Sequence, residues 1–108
     1  MKFKIFRFKK VESTNNSAIR VIKNSNINYG MIIANGQKNG RGQYGKKWIS
    51  NKGNLFVSFF HEIKNINISL STLTKINCLL VKKTIEKYYK SKIVFKKPND
   101  LLINKKKN

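Results

Sequence analysis

The glycine-rich loop GQKNGRGQYGKKW, residues 36–48, is the most informative stretch of the 108-residue sequence, and the fold prediction starts from it. It contains four of the six glycines of the chain. Closely spaced glycines let a backbone approach a ligand and direct N–H groups at it, while Arg41, Lys46 and Lys47 add positive charge. Trp48 adds an apolar anchor or a stacking surface. The loop suits a nucleotide or another phosphate-bearing ligand, with an ordinary mobile connection between strands as the alternative.

The segments on both sides of this loop predict β-strands. Residues 30–35 form a short apolar run that begins with a glycine, and residues 55–60 form a second apolar run. The loop lacks the Gly-Lys-Ser/Thr ending of a Walker phosphate-binding loop, and it does not open a helix. We therefore expect it to connect two strands.

Further out, the sequence predicts more strands and two helices. Residues 2–9 predict a strand, and Ser13 or Thr14 is the expected N-cap of a helix that ends within residues 24–28. Residues 71–90 predict a second helix with one apolar face. Two last strands and the turn between them complete the pattern, at residues 92–95, Pro98-Asn99-Asp100 and residues 101–103.

The order β-α-β-loop-β-α-β-β determines the expected fold class. It is an α+β or α/β pattern, and we expect an α+β fold in which a mixed β-sheet is packed with helices. We find no internal repeat and no linker, so residues 1–108 are expected to form a single domain.

Bulk features exclude several protein classes. Cys78 is the only cysteine and His61 the only histidine, which excludes an intramolecular disulfide and argues against a metal site built from those residues. No apolar run approaches the ~20 residues of a membrane span, so no membrane association is expected. Residues 1–10 lack the apolar core of a signal peptide, which indicates a cytoplasmic protein.

The net charge of the chain is +20, from 24 Lys and Arg against 4 Asp and Glu. This charge first suggests a nucleic-acid-binding module, which we keep as an alternative function. However, 21 Lys, 15 Asn and 14 Ile make up 50 of the 108 residues, and all three have A/T-rich codons. Arginine, the residue best suited to bidentate phosphate contacts, occurs only three times. We therefore attribute much of the charge to composition and do not expect a nucleic-acid partner.

Four motifs together resemble the catalytic domain of biotin–protein ligases. They are ESTN at residues 12–15, QKNGRGQYGKKW at residues 37–48, GNLFVS at residues 53–58 and KKPNDLL at residues 96–102. The resemblance extends from about residue 11 to residue 107. Lipoate ligases share this fold, but their own arginine and glycine signature is absent, so biotin is favoured.

The resemblance implies a two-step reaction. Biotin and ATP form biotinyl-adenylate and pyrophosphate, and the acyl group then passes to a lysine of the biotin carboxyl-carrier protein of acetyl-CoA carboxylase. Backbone donors and cations of the glycine-rich loop would offset the repulsion between the biotin carboxylate and the α-phosphate. Biotin and ATP are the implied substrates, with Mg²⁺ as the implied metal.

The resemblance also assigns a biotin site. Short hydroxyls and amides suit the ureido head group, which needs paired donors and acceptors. A helix cap is the alternative role for the serine, threonine and asparagine of the first motif. The implied biotin contacts are Ser13, Thr14, Asn15, Gln37, Arg41, Gly42, Gln43 and Lys107, of which Arg41 and Lys107 are the expected catalytic residues.

A second group of residues is implied for ATP and the adenylate. Asp100 is the expected Mg²⁺ ligand, with a simple turn residue as its alternative role. Trp48 either faces the adenine or packs in the core. The family often has Arg in place of Gln43 and an aromatic residue in place of Lys97. The implied nucleotide contacts are Gly40, Arg41, Gly42, Gly45, Lys46, Trp48, Lys96, Asn99 and Asp100.

The end of the sequence decides how much of the catalytic domain is expected. The family's biotin-carboxylate lysine falls on Lys107, with Lys105 and Lys106 adjacent to it and a basic chain end as the other interpretation. A complete domain continues beyond that lysine, so we expect a truncated domain with impaired activity or an inactive remnant. Residues 101–103 would then form an open sheet edge, which a partner chain or self-association would cover.

Overall fold

The computed structural model describes residues 3–63 and 67–103, and only the backbone of Gln43. The chain forms two compact units, residues 1–64 and 65–108. The predicted element order is confirmed. The first unit contains β1 (Lys4–Phe8), α1 (Thr14–Asn24), β2 (Gly30–Ala34) and β3 (Phe56–Phe60), and the second contains α2 (Leu70–Glu86), β4 (Ile93–Lys96) and β5 (Asp100–Ile103).

The first unit is built on a three-stranded mixed sheet in the order β1-β2-β3. Strand β1 pairs with β2 in parallel, and β2 pairs with β3 in antiparallel register, with Ile32 opposite Ser58. Because β1 and β2 are parallel, both end at the same edge of the sheet, and antiparallel β3 begins there. This edge therefore receives the start of α1 and both ends of the glycine-rich loop.

Helix α1 covers one face of this sheet. Ser13 is the N-cap, as one of the two predicted candidates, and its hydroxyl accepts a hydrogen bond from the backbone N–H of Asn16 at 3.0 Å. Ala18 packs with Ile32 and Phe60 to form the core, and Ile32 is fully buried. The predicted mixed sheet packed with a helix is thus confirmed for the first unit.

The second unit pairs helix α2 with the antiparallel β4–β5 hairpin. None of the α2 side chains is buried, and Leu80 is 58% exposed. A two-stranded hairpin offers too little surface to bury a 17-residue helix, so the predicted apolar face stays mostly open.

Helix α2 ends at Glu86, four residues before the predicted end at Lys90. The backbone N–H groups of Lys87 and Tyr88 donate to the carbonyls of Thr84 and Ile85, three residues earlier in each case. Such bonds tighten the last turn and close the helix. Periodicity alone could not locate this end.

No helix in the described ranges combines the length and apolarity of a membrane span.

Candidate functional site

Short backbone hydrogen bonds fix the start of the glycine-rich loop against the segment before α1. The N–H of Val11 donates to the Gly36 carbonyl at 3.1 Å, and the N–H of Lys38 donates to the Val11 carbonyl at 3.0 Å. The N–H of Asn39 continues this ladder to the Glu12 carbonyl at 2.7 Å. Gln37 lies between the bonded residues Gly36 and Lys38, and these bonds therefore place it beside the N-terminus of α1.

Gln37 joins that helix N-terminus to the far end of the loop. Its Oε1 accepts a hydrogen bond from the backbone N–H of Thr14 at 2.8 Å, and its Nε2 donates to Ser50 Oγ at 3.0 Å. The first turn of a helix leaves backbone N–H groups without helical partners, and Gln37 satisfies one of them. Gln37 therefore has a structural role in addition to the predicted ligand contact.

A second group of hydrogen bonds links α1 to strand β3. Thr14 Oγ1 lies 2.8 Å from Ser58 Oγ in a buried contact. Ser58 Oγ also donates to Asn15 Oδ1. Thr14 is 5% exposed, so its hydroxyl is part of the folded interior rather than a solvated turn. Together these contacts make Thr14 and Asn15 of the first motif neighbours of β3.

These side chains surround a small cavity of about 190 Å³, which we call the polar pocket. Ligand sites for whole drug-sized molecules usually measure ~300–1,000 Å³, so the polar pocket fits one polar head group. Five predicted biotin contacts lie together here, and four residues of β3 and its approach complete the lining. The nine lining residues are Ser13, Thr14, Asn15, Gln37, Arg41, Leu55, Phe56, Val57 and Ser58.

Arg41 brings the positive charge of the loop to this pocket. Its side chain is exposed, and its guanidinium donates a hydrogen bond to Asn16 Oδ1, in the first turn of α1. A long side chain loses rotamer freedom when it is held in one place, and Asn16 holds it in advance of any ligand. The arrangement suits the capture of a carboxylate or phosphate at the pocket entrance.

The centre of the glycine-rich loop forms a small hairpin. The N–H of Gly42 donates to the Lys46 carbonyl at 2.6 Å, and the N–H of Trp48 donates to the Gly40 carbonyl at 2.8 Å. Residues 43–45 form a 3₁₀ turn at the tip, where Gly45 has φ of 74°. Positive φ favours glycine, so Gly45 suits its position, whereas Tyr44, with φ of 59°, occupies the left-handed region without that advantage. These two hydrogen bonds and the bridge between Arg41 and Lys47 hold the hairpin together.

Gly40 is required for close packing rather than for its dihedral angles. A Cβ atom there would lie 2.6 Å from Ser50 Oγ and 2.7 Å from Gln37 Nε2. The glycine therefore lets the loop backbone pass directly over the Gln37–Ser50 hydrogen bond. Its predicted nucleotide contact stays a prediction.

Trp48 is 58% exposed, so the interpretation that it packs in the core is wrong. Lys46 and Lys47 are exposed as well. Gly42, Gly45, Lys46 and Trp48 belong to the hairpin and do not line the polar pocket. The predicted nucleotide contacts of these four residues stay predictions, as do the predicted biotin contacts of Gly42 and Gln43.

The remaining predicted residues lie in the second unit. Asp100 is the first residue of β5 and pairs with Lys96, the last residue of β4. Asn99 lies in the turn between them, which contains a cis peptide bond between Lys97 and Pro98. The described residues contain no cluster of three or more His, Cys, Asp or Glu suited to a metal. Lys105, Lys106 and Lys107 lie outside the described residues.

Three polar residues of the site were not predicted from the sequence: Ser58, Ser50 and Asn16. Ser58 had a detectable signal, because it is a polar residue at an inward-facing position of an apolar strand. Ser50 lies outside any regular element and Asn16 follows a motif of polar residues, so neither stood out.

A larger depression of about 510 Å³ also lies in the first unit. Its lining includes Phe8, Lys10, Arg20 and Lys38, and it contains none of the predicted site residues. We place the candidate site at the smaller polar pocket because the motif residues converge there.

Comparison with solved structures identifies the fold. The chain is similar to the biotin protein ligase from Aquifex aeolicus in complex with biotin and ATP, with 31% identity and a TM-score of 0.80. That match covers 98% of our chain and 44% of the Aquifex chain. The chain is also similar to biotin acetyl coenzyme A carboxylase synthetase from Helicobacter pylori with bound biotinylated ATP, with 22% identity and a TM-score of 0.81. This second match covers 96% of our chain and 51% of that chain.

A third match agrees with these two. The chain is similar to the biotin protein ligase from Leishmania major in complex with biotin, with 21% identity, a TM-score of 0.82 and coverage of 96% of our chain and 48% of that chain. The chain thus spans about half the length of the solved proteins it matches. A sequence model of the Biotin/lipoate A/B protein ligase family matches residues 7–107. Since this match covers nearly all of the sequence, the chain is a member of the Biotin/lipoate A/B protein ligase family.

Proposed function

We propose that this chain supplies the substrate-binding elements of a biotin–protein ligase. In the proposed reaction, the biotin carboxylate attacks the α-phosphate of ATP to give biotinyl-adenylate and pyrophosphate. A lysine amine of a carrier protein then attacks the activated carbonyl, forming an amide and releasing AMP. We place the reaction in the cytoplasm as part of the same proposal, because it consumes ATP.

The observation that supports biotin most strongly is the polar pocket. It combines hydroxyl and amide groups from Ser13, Thr14, Asn15 and Gln37 in a space suited to one head group. The ureido ring of biotin carries one carbonyl acceptor and two N–H donors, which such groups can match. The relatives whose complexes contain biotin share this fold.

The glycine-rich loop is the proposed adenylation element. Bringing a carboxylate to a phosphate requires two anions to approach, and nearby cations lower the cost. Arg41 lies at the pocket entrance and is already oriented by Asn16. The hairpin at residues 41–47 would cover the adenylate and limit its hydrolysis, with Lys46 and Trp48 toward the nucleotide.

Mg²⁺ and the remaining nucleotide contacts are proposed from the second unit. Mg²⁺ is usually held by one or two carboxylates together with substrate phosphates, so a single carboxylate from Asp100 fits that mode. Lys96 and Asn99, at the same turn, would contact the nucleotide. Lys107 would pair with the biotin carboxylate and then with the acyl-phosphate.

The proposed acceptor is the biotin carboxyl-carrier protein of acetyl-CoA carboxylase. The family match supports a biotin-carrier protein in general. The alternative of nucleic-acid binding, which rested on the net charge, gains no support from these matches.

The described residues 67–103 place β5 beside β4 only. We accordingly keep a partner chain or self-association at that sheet edge as part of the proposal.

The experiment is transfer of biotin to a purified carrier domain. The full chain is incubated with the carrier, biotin and MgATP, and the carrier mass is measured. The proposal predicts a mass increase of one biotinyl group, which disappears when the acceptor lysine of the carrier is replaced by arginine. Adenylate formation without transfer would restrict the proposal to the first step, and no reaction in either step would support an inactive remnant.

A further inference from the structure

Ser58 stands at the centre of the hydrogen bonds in the polar pocket, and its single proton limits how they can be arranged. Its Oγ contacts both Thr14 Oγ1, at 2.8 Å, and Asn15 Oδ1. An amide oxygen has no proton to give, so Ser58 must donate to Asn15. The hydrogen bond between Ser58 and Thr14 must then use the proton of Thr14.

The other contacts of Thr14 agree with this direction. Gln37 Oε1 already accepts from the Thr14 backbone N–H at 2.8 Å, and the Thr14 hydroxyl lies farther from it, at 3.2 Å. The Thr14 hydroxyl therefore makes the shorter hydrogen bond when it donates to Ser58. The result is a chain of two hydrogen bonds with one direction: the Thr14 hydroxyl donates to the Ser58 hydroxyl, and the Ser58 hydroxyl donates to the Asn15 side-chain oxygen.

We infer that Ser58 is a positioning residue that fixes the side-chain amide of Asn15 with its Nδ2 donors free for a ligand acceptor. Asn15 is exposed and lines the polar pocket, and Nδ2 has no hydrogen-bond acceptor within the described part of the chain. Asn15 therefore presents two N–H donors. If the Asn15 amide were reversed, its oxygen would face the pocket as an acceptor and its Nδ2 would donate to Ser58. Ser58 would then donate to Thr14, and the Thr14 hydroxyl would have to donate to Gln37 Oε1 over the longer distance of 3.2 Å.

This orientation selects a ligand whose head group offers an acceptor. The inference rests on the proposed biotin site, where the ureido carbonyl is that acceptor. A donor that a bound ligand covers without offering an acceptor costs binding energy, so the fixed amide discriminates against ligands that place a donor at the same point. In 2-iminobiotin, a guanidinium that is protonated at neutral pH replaces the carbonyl and supplies N–H donors instead.

The test compares the affinities of biotin and 2-iminobiotin for the full chain by calorimetry at neutral pH. Wild type is expected to prefer biotin. Ser58→Ala, and Ser58→Cys as a variant of similar volume, should weaken biotin binding about tenfold and reduce the preference, because Asn15 can then rotate. Ser58→Thr, which keeps a hydroxyl, should retain both properties. The matched control is Ser17→Ala, since Ser17 and Ser58 are both 9% exposed and Ser17 does not line the polar pocket.

A second measurement needs no ligand. The ¹⁵N–¹H nuclear Overhauser effect of the Asn15 side chain should report an ordered amide in wild type and a mobile amide in Ser58→Cys. An unchanged Asn15 amide would overturn the inference, as would an unchanged preference in a Ser58→Cys chain that binds biotin. A wild-type chain that binds no biotin but loses Asn15 order on substitution would reject the proposed function and leave the positioning role standing.

Discussion

The backbone N–H of Thr14 donates to the side-chain oxygen of Gln37 at 2.8 Å, across 23 positions of the sequence. This bond satisfies a free N–H at the start of α1 and at the same time holds Gln37 at the polar pocket. The Gln37 side chain, which is predicted to contact the ligand, therefore also caps the N-terminus of α1. Substitutions here should affect stability and binding together.

Gln37→Ala should lower both stability and biotin affinity. It removes the acceptor for the Thr14 N–H and the donor to Ser50. Leaving a partly buried N–H without an acceptor should reduce the free energy of unfolding by about 1–3 kcal/mol. Urea denaturation followed by circular dichroism measures this change. Lys38→Ala, at the exposed neighbouring position, is the control, and equal stability of the two variants would contradict the structural role.

Gly40→Ala should destabilise the loop, because the new methyl group would lie 2.6 Å from Ser50 Oγ and 2.7 Å from Gln37 Nε2. Overpacking of this kind costs about 1–3 kcal/mol in unfolding free energy. Gly36→Ala is the matched control, since the nearest atom to its added Cβ is 3.7 Å away. Thermal unfolding of both variants decides the point, and a Gly40→Ala chain as stable as Gly36→Ala would show that the loop backbone is placed differently.

Arg41→Ala should slow adenylation more than it changes folding. The guanidinium is exposed and contacts Asn16, so its loss removes little packing. If Arg41 stabilises the developing charge at the α-phosphate, the rate should fall about 10²–10³-fold. Biotin-dependent exchange between ATP and labelled pyrophosphate measures the rate. Arg20→Ala provides a matched exposed arginine on α1, and equal rates for the two variants would exclude the proposed role of Arg41.

Lys107→Ala should weaken biotin binding if this lysine pairs with the biotin carboxylate. A hydrogen bond to a charged group contributes about 1.5–3 kcal/mol, which corresponds to a loss of about 10–100-fold in affinity. Lys105→Ala and Lys106→Ala are built-in controls in the same basic run. Calorimetry on the three variants identifies the functional lysine. Identical affinities for all three would indicate that the run is a basic chain end.

The sequence predicted the order of elements because its signals were local. Gly30, the first residue of β2, and Ser13, immediately before α1, each mark a boundary by their own chemistry. The exposure of Trp48 and of the apolar side of α2 depends on how much surface the rest of the chain offers, and no local pattern carries that information. Likewise, the contact between Thr14 and Ser58 spans 44 positions and follows only from the strand register.

Pyrophosphate exchange by the wild-type chain itself is the decisive measurement of the proposed biotin adenylation. The full chain is supplied with MgATP and labelled pyrophosphate, with and without saturating biotin, and label entering ATP is measured. We expect exchange that requires biotin and exceeds that of Arg41→Ala. Exchange equal to the Arg41→Ala background at saturating biotin would contradict it.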